Sequence, residues 1–158
     1  MARSRGGFTL IELVIALAIL AVLVTLATPV VQVQLQRQKE AELRAALREI
    51  RTALDNYKRA VDDGRVLRGL DESGYPPSLE VLVGGVQDAK SARRGALYFL
   101  RRIPRDPMHP DPSLSAADTW AKRSYESPPD APEAGDNVFD VYSLSPRVGL
   151  NGVPYRQW

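Results

Sequence analysis

Residues 6–31 read GGFTLIELVIALAILAVLVTLATPVV, and they hold one carboxylate, Glu12, inside a run that is otherwise uncharged. A carboxylate at the centre of a membrane helix costs roughly 2.5–3.5 kcal/mol on insertion scales, and less toward an end. Keeping Glu12 among Leu10, Ile11, Leu13 and Val14 therefore calls for a partner, and an ionisable group in such a run is a functional hypothesis by default. Beyond Glu12 no charge recurs until Arg37. As a helix, Phe8 to Val31 would measure about 36 Å, enough for a hydrocarbon core of about 30 Å with some tilt. Arg3 and Arg5 precede it, which predicts a cytoplasmic N-terminus and translocation of the rest.

A cleaved secretory signal competes with this reading, with Arg3 and Arg5 as its basic region and Thr25-Leu26-Ala27 as its small-residue site. Its apolar core would exceed the usual ~7–15 residues and would enclose Glu12. The remainder of the 158 residues fits one small domain. Cysteine is absent, so disulfides, thiolate metal sites and Cys nucleophiles are excluded. The formal charge of +2 comes from 21 basic and 19 acidic residues, and Arg3 and Arg5 account for the excess. Pairs such as Arg93-Arg94 and Arg101-Arg102 lack interleaved aromatic residues, so they read as solvated surface and no nucleic-acid partner is expected.

The hexapeptide Gly7-Phe8-Thr9-Leu10-Ile11-Glu12, followed by a long apolar helix containing Pro29, closely resembles the class III signal of type IV pilins and type II secretion pseudopilins. The resemblance implies that a prepilin peptidase cuts between Gly7 and Phe8 and that the new amine of Phe8 is N-methylated. Glycine before the cut, lacking a Cβ, lets the backbone enter a crowded active site extended. Residues 1–7 would then be the prepilin leader, 8–31 the transmembrane and assembly helix, and 32–158 a periplasmic pilin-like domain. Glu12 would meet the amine of Phe8 on an adjacent subunit. Breaking such a pair in a low-dielectric setting costs roughly 3–5 kcal/mol. Phe8 and Glu12 are also four apart on one helix face, so an intrasubunit contact stays open. Pro29 removes a backbone hydrogen bond and clashes with the preceding turn, so the helix should kink or loosen from about Thr25.

After Arg37 the apolar residues Leu43, Leu47, Ile50, Leu54, Tyr57 and Val61 alternate by four and three, an amphipathic stripe. Asp62-Asp63-Gly64 predicts its end, near residue 63, with Gly64 in the left-handed position. Residues 64–119 read as loop-rich. Ser78 would cap a short helix over Leu79–Val83 that Gly84-Gly85 ends, and Ala92 to Leu100 would hold a further short turn. The Tyr75-Pro76-Pro77 stretch and the Pro104-Arg105-Asp106-Pro107 turn further resemble the G-type, or major, pseudopilin branch.

The last third, 120–158, reads as a small antiparallel sheet from Ser124–Glu126, Val138–Ser143 and Val153–Trp158. Laid over the stripe, it would bury Trp120, Phe139 or Val141, and Tyr155. The expected fold class is therefore α+β, type IV pilin-like, with a long N-terminal helix, its first half spanning a membrane, packed on a small C-terminal antiparallel sheet.

G-type pseudopilins usually carry acidic calcium ligands before the C-terminus. Here no Asp or Glu occurs between Ser143 and Trp158, and Arg147 stands in that loop. No cofactor is expected, with Asp136, Asp140 and the carbonyls near Leu144 as residual candidates for calcium. His109, between Asp106 and Asp111 in a proline-dense loop, matches no established ligand spacing and reads as exposed loop. No nucleophile, base and orienting-group order stands out, so no enzyme is expected.

These readings converge on a structural subunit that polymerises through its helix, in the inner membrane with its C-terminal domain periplasmic and then in a periplasmic pseudopilus, to drive export across the outer membrane. Its expected partners are further copies and other pseudopilins, the prepilin peptidase, the inner-membrane assembly platform and membrane lipid. A type IV pilus subunit and a soluble periplasmic binding domain behind a conventional signal are the alternatives.

Overall fold

The computed structural model describes residues 7, 9–69, 72–93 and 95–158, excepting the side chains of 25–30. Phe8, Arg3, Arg5 and Arg94 lie outside the described residues. The chain divides into two units, Met1–Gln38 and Lys39–Trp158, and helix α1 (Leu10–Asp62) contributes to both.

In the first unit, the large apolar side chains from Leu10 to Val24 are 53–83% exposed. Such a continuous apolar surface marks a segment that something else covers. Among the described residues no helix is long and apolar enough to cross a membrane. Part of the expected span, Phe8 and the side chains of 25–30, lies outside the described residues. α1 is assigned without a break through Pro29.

In the second unit α1 turns its stripe inward. Leu43, Leu47, Ile50, Leu54, Tyr57 and Val61 are all buried, joined by Ala46, Ala53 and Ala60 on the same face. The helix ends as its sequence predicts. Gly64 takes a φ of 67°, its N–H donates to the Val61 carbonyl, and the Arg65 N–H donates to that of Ala60 at 2.8 Å. That paired closure satisfies two carbonyls that the helix end would otherwise leave open.

A short helix α2 (Glu80–Gly84) follows, burying Leu82, with Leu79 also fully buried beside it. It begins one residue later than expected and Ser78 does not cap it; that side chain instead bonds the Glu80 carboxylate. Next come β1 (Val86–Gln87) and β2 (Ala96–Leu97), an antiparallel pair with Val86 opposite Leu97. The Phe99 and Leu100 N–H groups both donate to the Leu82 carbonyl, docking this ladder on α2.

A second antiparallel pair joins β3 (Trp120–Arg123) and β4 (Asp140–Ser143), with Trp120 opposite Ser143 and Arg123 opposite Asp140. β3 precedes the expected Ser124–Glu126 stretch because Ser124 enters a turn: its N–H donates to the Glu133 carbonyl, and the Ser127 hydroxyl donates to its own. The expected third strand is replaced by a single Val148–Pro154 bridge and a 3-10 turn over Tyr155–Gln157. Pro154 brings no N–H to a ladder, so the pairing stops there. Trp120, Val141 and Tyr155 are buried, while Phe139 is half-buried against Tyr75 and Tyr125. The architecture is α+β, a long N-terminal helix with small antiparallel sheets.

Candidate functional site

Of the N-terminal candidates, Glu12 lies in the first turn of α1. Thr9 Oγ1 accepts the N–H of Glu12 at 3.3 Å, and the Thr9 carbonyl accepts that of Leu13 at 3.2 Å. Thr9 is thus the helix N-cap, and Glu12 is the third helical residue. Thr-x-x-Glu is the spacing of a capping box, a signal legible in the sequence that the membrane argument passes over. It gives Glu12 a local reason to exist. A carboxylate in the first turn opposes the partial positive charge of the helix N-terminus, worth typically ~0.3–1 kcal/mol. Gly7 is exposed, and a Cβ placed there would meet nothing within 4 Å. Glycine at that position is therefore not demanded by packing. Pro29 lies far along α1 from this turn.

Two of the buried carboxylates of the second unit, Glu40 and Asp106, tie distant segments together in roles that sequence reasoning did not single out. Glu40 is 3% exposed. Its Oε1 accepts the Leu150 N–H at 2.8 Å and the Tyr155 hydroxyl at 2.9 Å, with Arg44 at 3.8 Å from Oε2. The start of the domain's helix is thereby tied to the C-terminal loop. Trp158 completes this end, edge-on to Tyr155 at 5.0 Å, with the Arg44 guanidinium 4.2 Å above its indole. No acid within residues 144–158 was needed for this; the acid came from α1.

Asp106 is likewise buried. Its Oδ2 accepts the Ser143 hydroxyl and its Oδ1 the Met108 N–H, while its own N–H donates to Thr119 Oγ1. The proline-dense loop is therefore fastened to β4, and Trp120 adds a bond from Nε1 to the Pro104 carbonyl at 2.8 Å. The expectation of an exposed loop fails at Asp106 and His109, which is half-buried. His109 Nδ1 accepts the Asp111 N–H, and Asp111 accepts Ser113, so these three residues bond locally instead of converging on an ion.

Of the residual calcium candidates, Asp140 is occupied with other work. Asp140 Oδ1 accepts Arg51 Nε at 2.7 Å, and Arg51 Nη2 reaches the Val141 carbonyl and the backbone oxygen of Trp158. Asp136 stands apart, lining a cleft with Glu126 and Asn137. Among the described residues no group of three or more His, Cys, Asp or Glu side chains is placed to hold a metal ion.

Hydrogen bonding sets the electrostatics of the loops. The Arg65 guanidinium holds the Asp88 carboxyl below the usual carboxylate range. The Ser78 hydroxyl does the same for Glu80, and Ser113 for Asp111. Glu126 is lowered by a backbone N–H and then by the Asn137 amide. Burial pushes the Tyr57 phenol up. These are structural ties, and none assembles a nucleophile with a base.

A family profile described as the prokaryotic N-terminal methylation motif matches residues 2–28. The chain is 30% identical over 144 residues to type II secretion system core protein G of Klebsiella pneumoniae, covering 87% of this chain and 94% of that one. It is 30% identical over 148 residues to the protein of the same description in Pseudomonas aeruginosa, covering 88% and 94%. No solved structure matches.

Proposed function

As this chain belongs to the type II secretion system core protein G family and is a structural subunit of the pseudopilus, we propose that the first turn of α1 is where processing and assembly meet. Pseudopilins of this family are inner-membrane anchored with a periplasmic domain, and the relatives are structural proteins. In this reading Phe8–Val31 is the anchor, a prepilin peptidase cuts between Gly7 and Phe8, and N-methylation follows on Phe8.

The carrying observation is the Thr9–Glu12 cap followed at once by an exposed apolar helix. Cleavage before Phe8 would put a positive amine next to the cap while leaving the helix intact. Glu12 then has two uses. Within its own subunit it favours the helix N-terminus; between subunits it offers the amine of another copy a buried partner. Pro29 withholds one backbone donor, which supports a segment that extends as subunits pack. Further copies, other pseudopilins and the inner-membrane platform are the partners in this scheme.

Intact mass and N-terminal sequencing of the processed protein test it. A start at N-methylated Phe8 is expected, and a start at Thr28 would overturn it in favour of a discarded signal.

A further inference from the structure

The domain from Lys39 onward carries opposite charge at two levels of α1. Arg44, Arg48 and Arg51 recur at helical spacing and, with Gln157 and Trp158, line a groove of ≈ 360 Å³. Like charges three and four residues apart repel. Two of the three have partners inside the chain: Arg51 pairs with Asp140, and Arg44 approaches Glu40 and Trp158. Arg48 is exposed and, among the described residues, forms no ion pair within the chain.

The complementary charge lies in the loop that leads into β4 and at the first residue of that strand. Ser124 to Pro146 carries Glu126, Asp130, Glu133, Asp136 and Asp140 and neither Lys nor Arg. Among the described residues Asp140 is the member of this set with an ion pair. Asp130, Glu133 and Asp136 are exposed. Glu126 and Asp136 line their cleft with Tyr57 of α1, and Tyr57 lies about two and a half turns, roughly 13 Å, beyond Arg48. Pro128, Pro129 and Pro132 stiffen the loop, so holding it in place costs little chain entropy.

We propose that the acidic loop around Asp130, Glu133 and Asp136 of one copy docks on the Arg44–Arg48 groove of a second copy. The inference rests on the assembly reading above and adds the surface through which successive domains meet. A basic site at one level and an acidic site at another make a head-to-tail contact. Contacts of that kind propagate into a filament when the rotation between copies does not close. Arginine is suited to the task because its guanidinium can take a carboxylate through two parallel bonds.

The absence of cysteine provides a clean test. The full chain carrying Arg48→Cys and Glu133→Cys together is expressed with its secretion machinery, and sheared filaments are oxidised and run without reductant. A ladder at multiples of the chain mass is expected from the double variant and from neither single variant. Arg48→Glu should lose filaments, and Asp130→Lys with Glu133→Lys in the same chain should restore them. Filaments from the double cysteine variant without a ladder, or Arg48→Glu filaments at parental yield, would overturn the contact while leaving assembly intact. A cross-linked product of some other mass would overturn the second copy as the occupant. No filaments from the parent chain would overturn the assembly reading itself, and this contact with it.

Discussion

The carboxylate of Glu40 and the hydroxyl of Tyr155 meet at 2.9 Å across 115 positions of chain, with both residues buried. The same oxygen takes the Leu150 N–H, so one acidic side chain satisfies two donors from the C-terminal loop. Hydrogen bonds to a charged acceptor are worth roughly 1.5–3 kcal/mol, and a buried donor left without one costs roughly 1–3 kcal/mol.

Glu40→Ala should therefore lower the stability of the purified protein by about 2–3 kcal/mol. Tyr155→Phe should cost less, about 1 kcal/mol, because the ring still fills its site. Urea unfolding of both variants and of their combination gives the coupling. Additive losses would show that the two groups do not depend on each other.

Gly85 has φ 84° and ψ 144°, a region that side chains rarely enter, and a Cβ there would lie 2.6 Å from the Tyr98 ring. Gly85→Ala should cost about 1–3 kcal/mol. The neighbouring Gly84 has nothing within 4 Å of such a Cβ. Gly84→Ala should leave the melting temperature close to that of the parent, and equal losses at the two sites would refute the strain argument.

Asp88, Glu80, Asp111 and Glu126 all have carboxyl pKa values held below their ordinary range. A group whose folded pKa is depressed contributes stability above its unfolded pKa, about 3.9 for Asp and 4.3 for Glu, and loses it as pH falls through the folded value. Melting temperature should thus be flat in these terms above about pH 5 and fall below about pH 4. Asp88→Asn should flatten the acid limb, since it removes the group that Arg65 holds ionised. An unchanged limb would rule out the Arg65–Asp88 pair as a contributor.

Gly7 and Glu12 should separate processing from assembly. Gly7→Ala meets no packing obstacle, so uncleaved protein of normal fold is the expected product. Glu12→Ala should be cleaved much as the parent is, yet form filaments at well under a tenth of the parental yield, as losing roughly 3 kcal/mol would give. Parental yields from Glu12→Ala, counted on sheared filaments, would remove the charge pair from the mechanism.

Much of the fold was readable from period and composition because those signals are local. The four-and-three spacing from Leu43 to Val61 marked the buried face of α1, and Asp62-Asp63-Gly64 marked its end. β4 fell within the expected Val138–Ser143 stretch. The two-residue ladder of β1 and β2 was not readable, since so short a pairing leaves no alternation to detect. The Val153–Trp158 stretch misled because its alternation resembles a strand, while its geometry is decided by Glu40, distant in sequence. Asp106 was hidden for the same reason: its partners, Thr119 and Ser143, are brought to it only by the finished fold. At the N-terminus, hydropathy made Glu12 conspicuous, whereas the cap that Thr9 supplies to its N–H lay in a four-residue spacing easily overlooked within an apolar run.

The tie from Glu40 to Leu150 and Tyr155 also bears on timing. In the assembly reading the N-terminus stays behind and the domain is delivered in chain order, so the amphipathic face of α1 is presented long before the segment that closes over its beginning arrives. The helix can form early from its own turns, but Glu40 meets its two donors only once Leu150 and Tyr155 arrive, and that closing step carries the high contact order that slows folding. Closure over the start of the domain's helix thus waits on residues 110 and 115 positions downstream of Glu40, and in that reading this end of α1 is open to chaperones or to proteases until they arrive.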